Sequence, residues 1–152
     1  VGFSFKSQKL LLWGECMENI KNYLYSREEI IFAYIFGSVA RGRENRLSDL
    51  DIAIYVDEAK KPKSSSFGYR SDLIADIQPL SKREIDLIIL NEVSISIAFS
   101  VLKDGKLVFT KSDKKRVEFH ESVMRKYLDF LPALKVQEKY LKNNIKKGKF
   151  GS

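Results

Sequence analysis

The chain has one cysteine, Cys16, and one histidine, His120, among 152 residues. A lone cysteine excludes an internal disulfide, and with no histidine near it in sequence it reads as a small core residue rather than a nucleophile. His120 has no ligand-spaced His or Cys partner, which excludes a zinc site in practice. No apolar run is long enough to span a bilayer, and no signal-peptide pattern with a small-residue cleavage site is present. A soluble, cytoplasmic protein with no membrane partner is therefore expected. Only three prolines occur, and each reads as a local breaker: Pro62 in a polar loop, Pro79 at a helix end, Pro132 inside a C-terminal helical run. No internal repeat is evident.

With 44% hydrophobic residues, the chain suffices for one domain with a buried core and has no room for a second catalytic one. The net charge is +7, yet residues 1–110 hold 15 basic and 15 acidic side chains, while residues 111–152 hold 12 and 5. The excess is a property of the C-terminal stretch. There Val117, Met124, Tyr127 or Leu128, Leu131, Leu134, Leu141 and Ile145 recur every three or four residues between Lys and Arg, which predicts a basic amphipathic helix. Pro132 predicts a kink there, or two helices in succession. The aromatic residues fall on or beside the apolar stripe, so the expected role is a solvated basic face or, next, docking to an acidic protein. Direct contact with nucleic acid or membrane ranks last.

Gln8 to Tyr25 places Leu10, Trp13, Cys16 or Met17, Ile20 and Leu24 at helical spacing. Asp57 to Phe67 is polar, with three serines in a row, and reads as a surface loop. Gly68 to Gln78 carries Leu73, Ile74 and Ile77 and predicts a helix ended by Pro79. Glu84 to Leu90 reads as a strand with Glu84, Asp86 and Ile88 on one face and Ile85, Leu87 and Ile89 on the other. Glu92 to Lys103 predicts a helix capped by Asn91 and stopped at Asp104-Gly105, with a short strand at Ser94 as the alternative. Lys106 to Thr110 follows as an edge strand.

The stretch from Ile30 to Val56 organises the rest. Ile30 to Phe36 is uncharged, rich in Ile, Phe and Tyr, and ends at Gly37, as expected of a strand in mid-sheet. A Gly37-Ser38 turn leading into a short helix, Ser38 to Arg41, would aim backbone N–H groups and a hydroxyl at one point, a natural seat for a phosphate oxygen. After ten intervening residues come Asp49 and Asp51, two apart at the start of a second strand, so both carboxylates share a face. Like charges held so close repel, and a divalent cation is the usual remedy. Arg41 suits either a triphosphate or an acidic neighbour that holds the turn. Arg43 and Arg46 read as solvated. Asp86, inside an apolar strand, calls for a cation or an Arg or Lys partner.

Gly37, Ser38, Asp49 and Asp51 together resemble the signature of the nucleotidyltransferase superfamily that includes DNA polymerase beta. By chance the four-residue pattern arises in roughly one chain of this length in several hundred. The Ala40-Arg41-Gly42 extension and the small size resemble the minimal nucleotidyltransferases, the MNT antitoxins of HEPN/MNT toxin–antitoxin pairs. The resemblance implies an α/β (α+β) polymerase beta-like fold: a small mixed sheet packed by helices, with residues 1–110 as the core and residues 111–152 as a basic helical extension of the same domain. It implies one or two magnesium ions on Asp49, Asp51 and a third carboxylate, carried onto Asp86 with Glu84 in reserve. Gly37, Ser38 and Arg41 become the nucleotide-binding set. The implied activity is transfer of AMP from ATP to a tyrosine of a partner HEPN toxin. HEPN toxins carry an Arg followed by His after four to six residues, whereas Arg116 and His120 have three between them, so this chain does not read as the nuclease half. Two other readings stand beside the first: a non-catalytic antitoxin that docks through its C-terminal helices, and nucleotidyl transfer to a small molecule.

Overall fold

Short apolar runs rich in β-branched and aromatic residues form the strands, and the amphipathic stretches between them form the helices that cover the sheet. The computed structural model describes residues 5–37 and 49–146. Its elements are α1 (Phe5–Ser26), β1 (Ile30–Phe36), β2 (Leu50–Val56), α2 (Tyr69–Ile77), β3 (Ile85–Ile89), α3 (Ile95–Asp104), β4 (Lys106–Thr110) and α4 (Asp113–Lys146). The four strands lie in the order β3-β2-β1-β4. β1 runs antiparallel to β2 and β4, and β2 runs parallel to β3, so the sheet is mixed, as expected. β1 sits in mid-sheet and β4 at an edge, again as expected.

Alternation along the strands builds two cores. Ile52, Ile54 and Val56 of β2 and Leu87 and Ile89 of β3 face Ile20 and Leu24 of α1 and Leu73 and Ile77 of α2. On the opposite face, Phe32, Tyr34 and Ala53 meet Val101 of α3 and Phe119 of α4. Phe32 stacks on Tyr55 with ring centroids 4.7 Å apart, and Phe119 packs against both rings. Each fully buried side chain of this size stabilises the fold by about 1.5–3 kcal/mol. Cys16 is partly buried on α1 and unpaired, consistent with a packing role.

Two sequence expectations are corrected, the start of the helix after β3 and its cap, and a third is narrowed. α3 starts at Ile95 and is capped by Ser94, whose Oγ accepts from the Ile97 N–H at 3.3 Å. The residue expected as its cap, Asn91, instead pairs with both backbone groups of Val56: its Oδ1 accepts from the N–H at 2.9 Å and its Nδ2 donates to the carbonyl at 2.8 Å. An Asn can satisfy a strand end as well as a helix start, and only the return of the chain beside β2 decides between them. Pro132 lies inside α4, which continues as one helix to Lys146, so that of the two alternatives, a kink or two helices in succession, the second is excluded. The Leu, Ala, Lys and Glu residues around the proline are strong helix formers, and they outweigh the single lost bond. Among the described residues no helix is long and apolar enough to cross a membrane.

Glu29 is the buried charged side chain of the described core. Its Oε1 accepts from Arg27 Nε at 2.9 Å and from the Tyr69 hydroxyl at 2.8 Å, which ties the β1 entry to α2. Burial opposes its charge, but its own backbone N–H, Tyr69 and Arg27 together hold its carboxyl below the ordinary value.

Two consequences are measurable by chemical denaturation. A carboxyl depressed in the folded state stabilises it above the unfolded pKa, and that contribution is lost as the pH falls through the folded value. Glu29→Gln should therefore cost about 1–3 kcal/mol at pH 7, and its deficit against wild type should shrink once the pH drops below about 4.3. Asn91→Ala, which leaves the Val56 backbone pair to water, should cost about 1–2 kcal/mol without changing the denaturant slope.

Candidate active site

The sheet pairings bring the predicted acidic residues to one end of the molecule. β1 ends at Phe36 and is followed by Gly37. Because β2 is antiparallel to β1, its start lies beside that end, with Phe36 opposite Asp51. Because β3 is parallel to β2, it starts at the same end, with Asp51 opposite Asp86. Leu50 and Ile52 turn into the core shared with α1 and α2, so alternation sends Asp51 to the other face, and Asp86 with it between the buried Ile85 and Leu87. Asp49 stands exposed one residue before β2. Glu84, the reserve candidate, is exposed just before β3, and its carbonyl accepts the Leu50 N–H at 2.8 Å.

Gly37 has φ +75°, a backbone conformation that costs an L side chain about 1–2 kcal/mol. A Cβ placed there would stand 2.1 Å from Asp51 Oδ2. The close approach that the glycine permits is thus an approach by a carboxylate of the same site. Burial, then repulsion from Asp86 and from Asp49, pushes the Asp51 carboxyl above its usual value. Asp86 and Asp49 are thus near enough to disfavour the charge of Asp51, which is the electrostatic setting of a cation site.

Asp86 already has a counter-ion. Arg70, at the start of α2, reaches the outer side of the edge strand β3, where its Nε donates to the Leu87 carbonyl and its Nη2 meets Asp86 Oδ1 at 2.9 Å. Both side chains are 49% exposed, and exposed pairs of this kind are worth little and exchange readily. Arg70 is the site residue that sequence reasoning missed. The need for an Arg or Lys near Asp86 is visible in the apolar strand around it, but the identity of that cation depends on how α2 crosses the sheet.

Ser38 and Arg41, with the expected short helix between them and with Arg43 and Arg46, lie outside the described residues. Among the described residues no group of three His, Cys, Asp or Glu side chains is arranged to hold a metal ion by itself. The donor set is nonetheless all carboxylate oxygen, the chemistry a hard cation such as magnesium prefers. Such an ion is commonly held by one or two carboxylates with substrate phosphates and water completing its shell. The residues present fit that mode and do not form a closed protein cage. A cleft of about 470 Å³ between β2 and α4, lined by Tyr55, Asp57, Lys115 and Phe119 among others, lies at the opposite end of β2 and holds none of the predicted site residues.

Comparison with known proteins bears on the fold. The chain is similar to a toxin–antitoxin crystal structure with AMP-PNP, at 19% identity and a TM-score of 0.65 over 85% of this chain and 97% of that one. It is also similar to the MntA–HepT toxin–antitoxin structure, at 17% identity and 0.59 over 86% and 96%. A third likeness is to the complex of a tri-AMPylated HEPN toxin with MNT antitoxin from Shewanella oneidensis, at 16% identity and 0.55 over 85% and 98%. At these identities the likeness is one of fold. No curated protein matches the sequence. The family model for polymerase beta nucleotidyltransferases, however, matches residues 18–114, a span holding β1 to β4 and all three aspartates. The chain belongs to the polymerase beta nucleotidyltransferase family.

Proposed function

We propose that this chain is a cytoplasmic, magnesium-dependent nucleotidyltransferase that moves AMP from ATP to a tyrosine hydroxyl of a HEPN-domain toxin, and so serves as the antitoxin of the pair. The observation that carries the reading is the strand register that sets Asp51 opposite Asp86 and against Gly37, within the segment the family model matches. The choice of nucleotide and partner is supported by the likeness to a toxin–antitoxin solved with AMP-PNP and to an AMPylated HEPN toxin bound to its MNT antitoxin.

In this reading Asp49 and Asp51 hold the cation, with Asp86 as the third carboxylate. The cation, when bound, neutralises the triphosphate and makes the acceptor hydroxyl more acidic. Gly37, Ser38 and Arg41 seat the triphosphate through backbone N–H groups, a hydroxyl and a guanidinium. The tyrosine oxygen bonds to the α-phosphorus as the bond from that phosphorus to the leaving pyrophosphate breaks, and the phenolic proton passes to Asp86. Asp86 must first exchange its contact with Arg70, a small cost for a half-exposed pair. The residues do little covalent work, because positioning and charge neutralisation supply the catalysis.

One observation favours a second reading, inhibition of the partner by docking alone: the Arg70 guanidinium neutralises Asp86 from within the chain. The two readings separate on the acid pair. In the first, Asp49→Asn/Asp51→Asn lowers transfer of label from α-labelled ATP to the partner by on the order of 10³-fold. It leaves the melting temperature without metal equal to or above that of wild type, since like charges have been removed. Transfer by neither form, with the partner still neutralised by both, establishes docking alone. Gly37→Ala should lose about 1–2 kcal/mol of stability from the left-handed backbone and should also lose transfer, because its Cβ displaces the Asp51 carboxylate. Comparing melting curves with label transfer for this variant separates the two effects.

A further inference from the structure

α4 is much longer than the body of the protein needs. Its first part is anchored by Val123, 3% exposed, and by Tyr127, whose ring stacks on Phe99 of α3 with centroids 3.7 Å apart. From residue 132 to residue 143 every described side chain is exposed. The stretch from residue 132 to the helix end at residue 146 extends about 22 Å. An isolated helix of that length is marginal in water, yet this one carries large apolar side chains: Val136 is 69% exposed, Tyr140 65% and Leu141 40%. At about 100° per residue, Leu141 points roughly 140° away from Val136, while Val136 and Tyr140 share a face. The apolar side chains therefore occupy two sides of the helix. A flat surface covers one side of a helix, whereas a groove covers two.

The charges around these side chains restrict what the groove can be. Residues 132–146 carry Lys135, Lys139, Lys142 and Lys146 against a single acid, Glu138, which pairs with Lys142. A second copy of the same helix would bring like charges together. A phosphate backbone would leave the apolar side chains in water, and a bilayer surface would take only one of the two apolar sides.

We propose that the C-terminal half of α4 is the arm by which this chain docks its protein partner, inserting into a groove with an apolar floor and a carboxylate-rich rim. The proposal rests on the function proposed above, since it takes the HEPN-domain toxin as the occupant. Tyr140 and Val136 supply the apolar anchor and the lysines supply attraction and register.

The test uses the full chain and the HEPN-domain partner that the proposed function requires, with binding followed by calorimetry and sedimentation. Val136→Glu/Tyr140→Glu places charge on the apolar side while keeping good helix formers. It should weaken binding by about 100-fold or more and leave ATP binding and the melting temperature as in wild type. Lys135→Glu/Lys139→Glu/Lys142→Glu should weaken binding by about tenfold or more and remove most of its salt dependence. Undiminished binding by the Val136/Tyr140 variant, with label transfer intact, overturns the docking arm alone and leaves the proposed activity standing. A wild-type homodimer that this variant dissociates assigns the helix to a second copy and overturns the proposal. Binding to anionic phospholipid vesicles that this variant loses, with partner binding unchanged, assigns it to membrane and does the same. Failure of the wild type itself to bind the HEPN-domain protein overturns the proposed function, and the docking arm with it.

Discussion

Asp51 stands where two strand pairings meet. The antiparallel pairing with β1 brings it to Phe36 and Gly37, and the parallel pairing with β3 brings it to Asp86. Nothing in the folding of a sheet requires three acids at one end, and their mutual repulsion acts against it. The surrounding residues accommodate that repulsion: Gly37 leaves room for the Asp51 carboxylate, Asp51 is driven toward its neutral form, and Arg70 neutralises Asp86. The site is thus assembled by hydrophobic residues on the opposite face of the same strands. Leu50, Ile52, Ile85 and Leu87 are buried against α1 and α2 and hold the register whatever the acids prefer.

That division of labour explains how the chain can keep a destabilising cluster. A shift of β2 by one residue would move Asp51 into the core and Ile52 out of it, so the register is strongly specified. The anchors at the far end reinforce it. Asn91 closes both backbone groups of Val56, and Glu29 links the entry of β1 through Tyr69 to α2. The repulsion between acids is concentrated at the end of the sheet where β2 and β3 begin, with Arg70 as the counter-ion there, while Asn91 and Glu29 tie the opposite end.

The fold was legible wherever period and composition agreed. The apolar run of β1 points to a strand buried on both faces, and the alternation of β3 and the helical spacing of α1 each point to one element. All three are found, with Leu87 and Ile89 of β3 and Ile20 and Leu24 of α1 in the core. The reading failed where a residue type serves two purposes. Asn91 suits a helix cap and a strand end equally, and at Pro132 the local sequence left open a division of the helix that its helix-forming neighbours prevent. At the site, the grouping of Asp49 and Asp51 follows from a spacing of two, but the counter-ion of Asp86 does not follow from any spacing. Arg70 is sixteen residues away and meets Asp86 only because α2 begins beside the edge of β3.

By itself, the sequence determined the local terms: which stretches are strands or helices, which face of each is apolar, and which pair of acids shares a strand. These depend on neighbours one to four residues apart, where geometry is set by the backbone period. Only the tertiary structure decided which strands pair and in what direction. It thereby decided that Asp86 lies opposite Asp51, that Gly37 yields its space to a carboxylate, and that Val136, Tyr140 and Leu141 in the far half of α4 are exposed among the described residues. Those outcomes depend on contacts between residues far apart in sequence, and no local period encodes them.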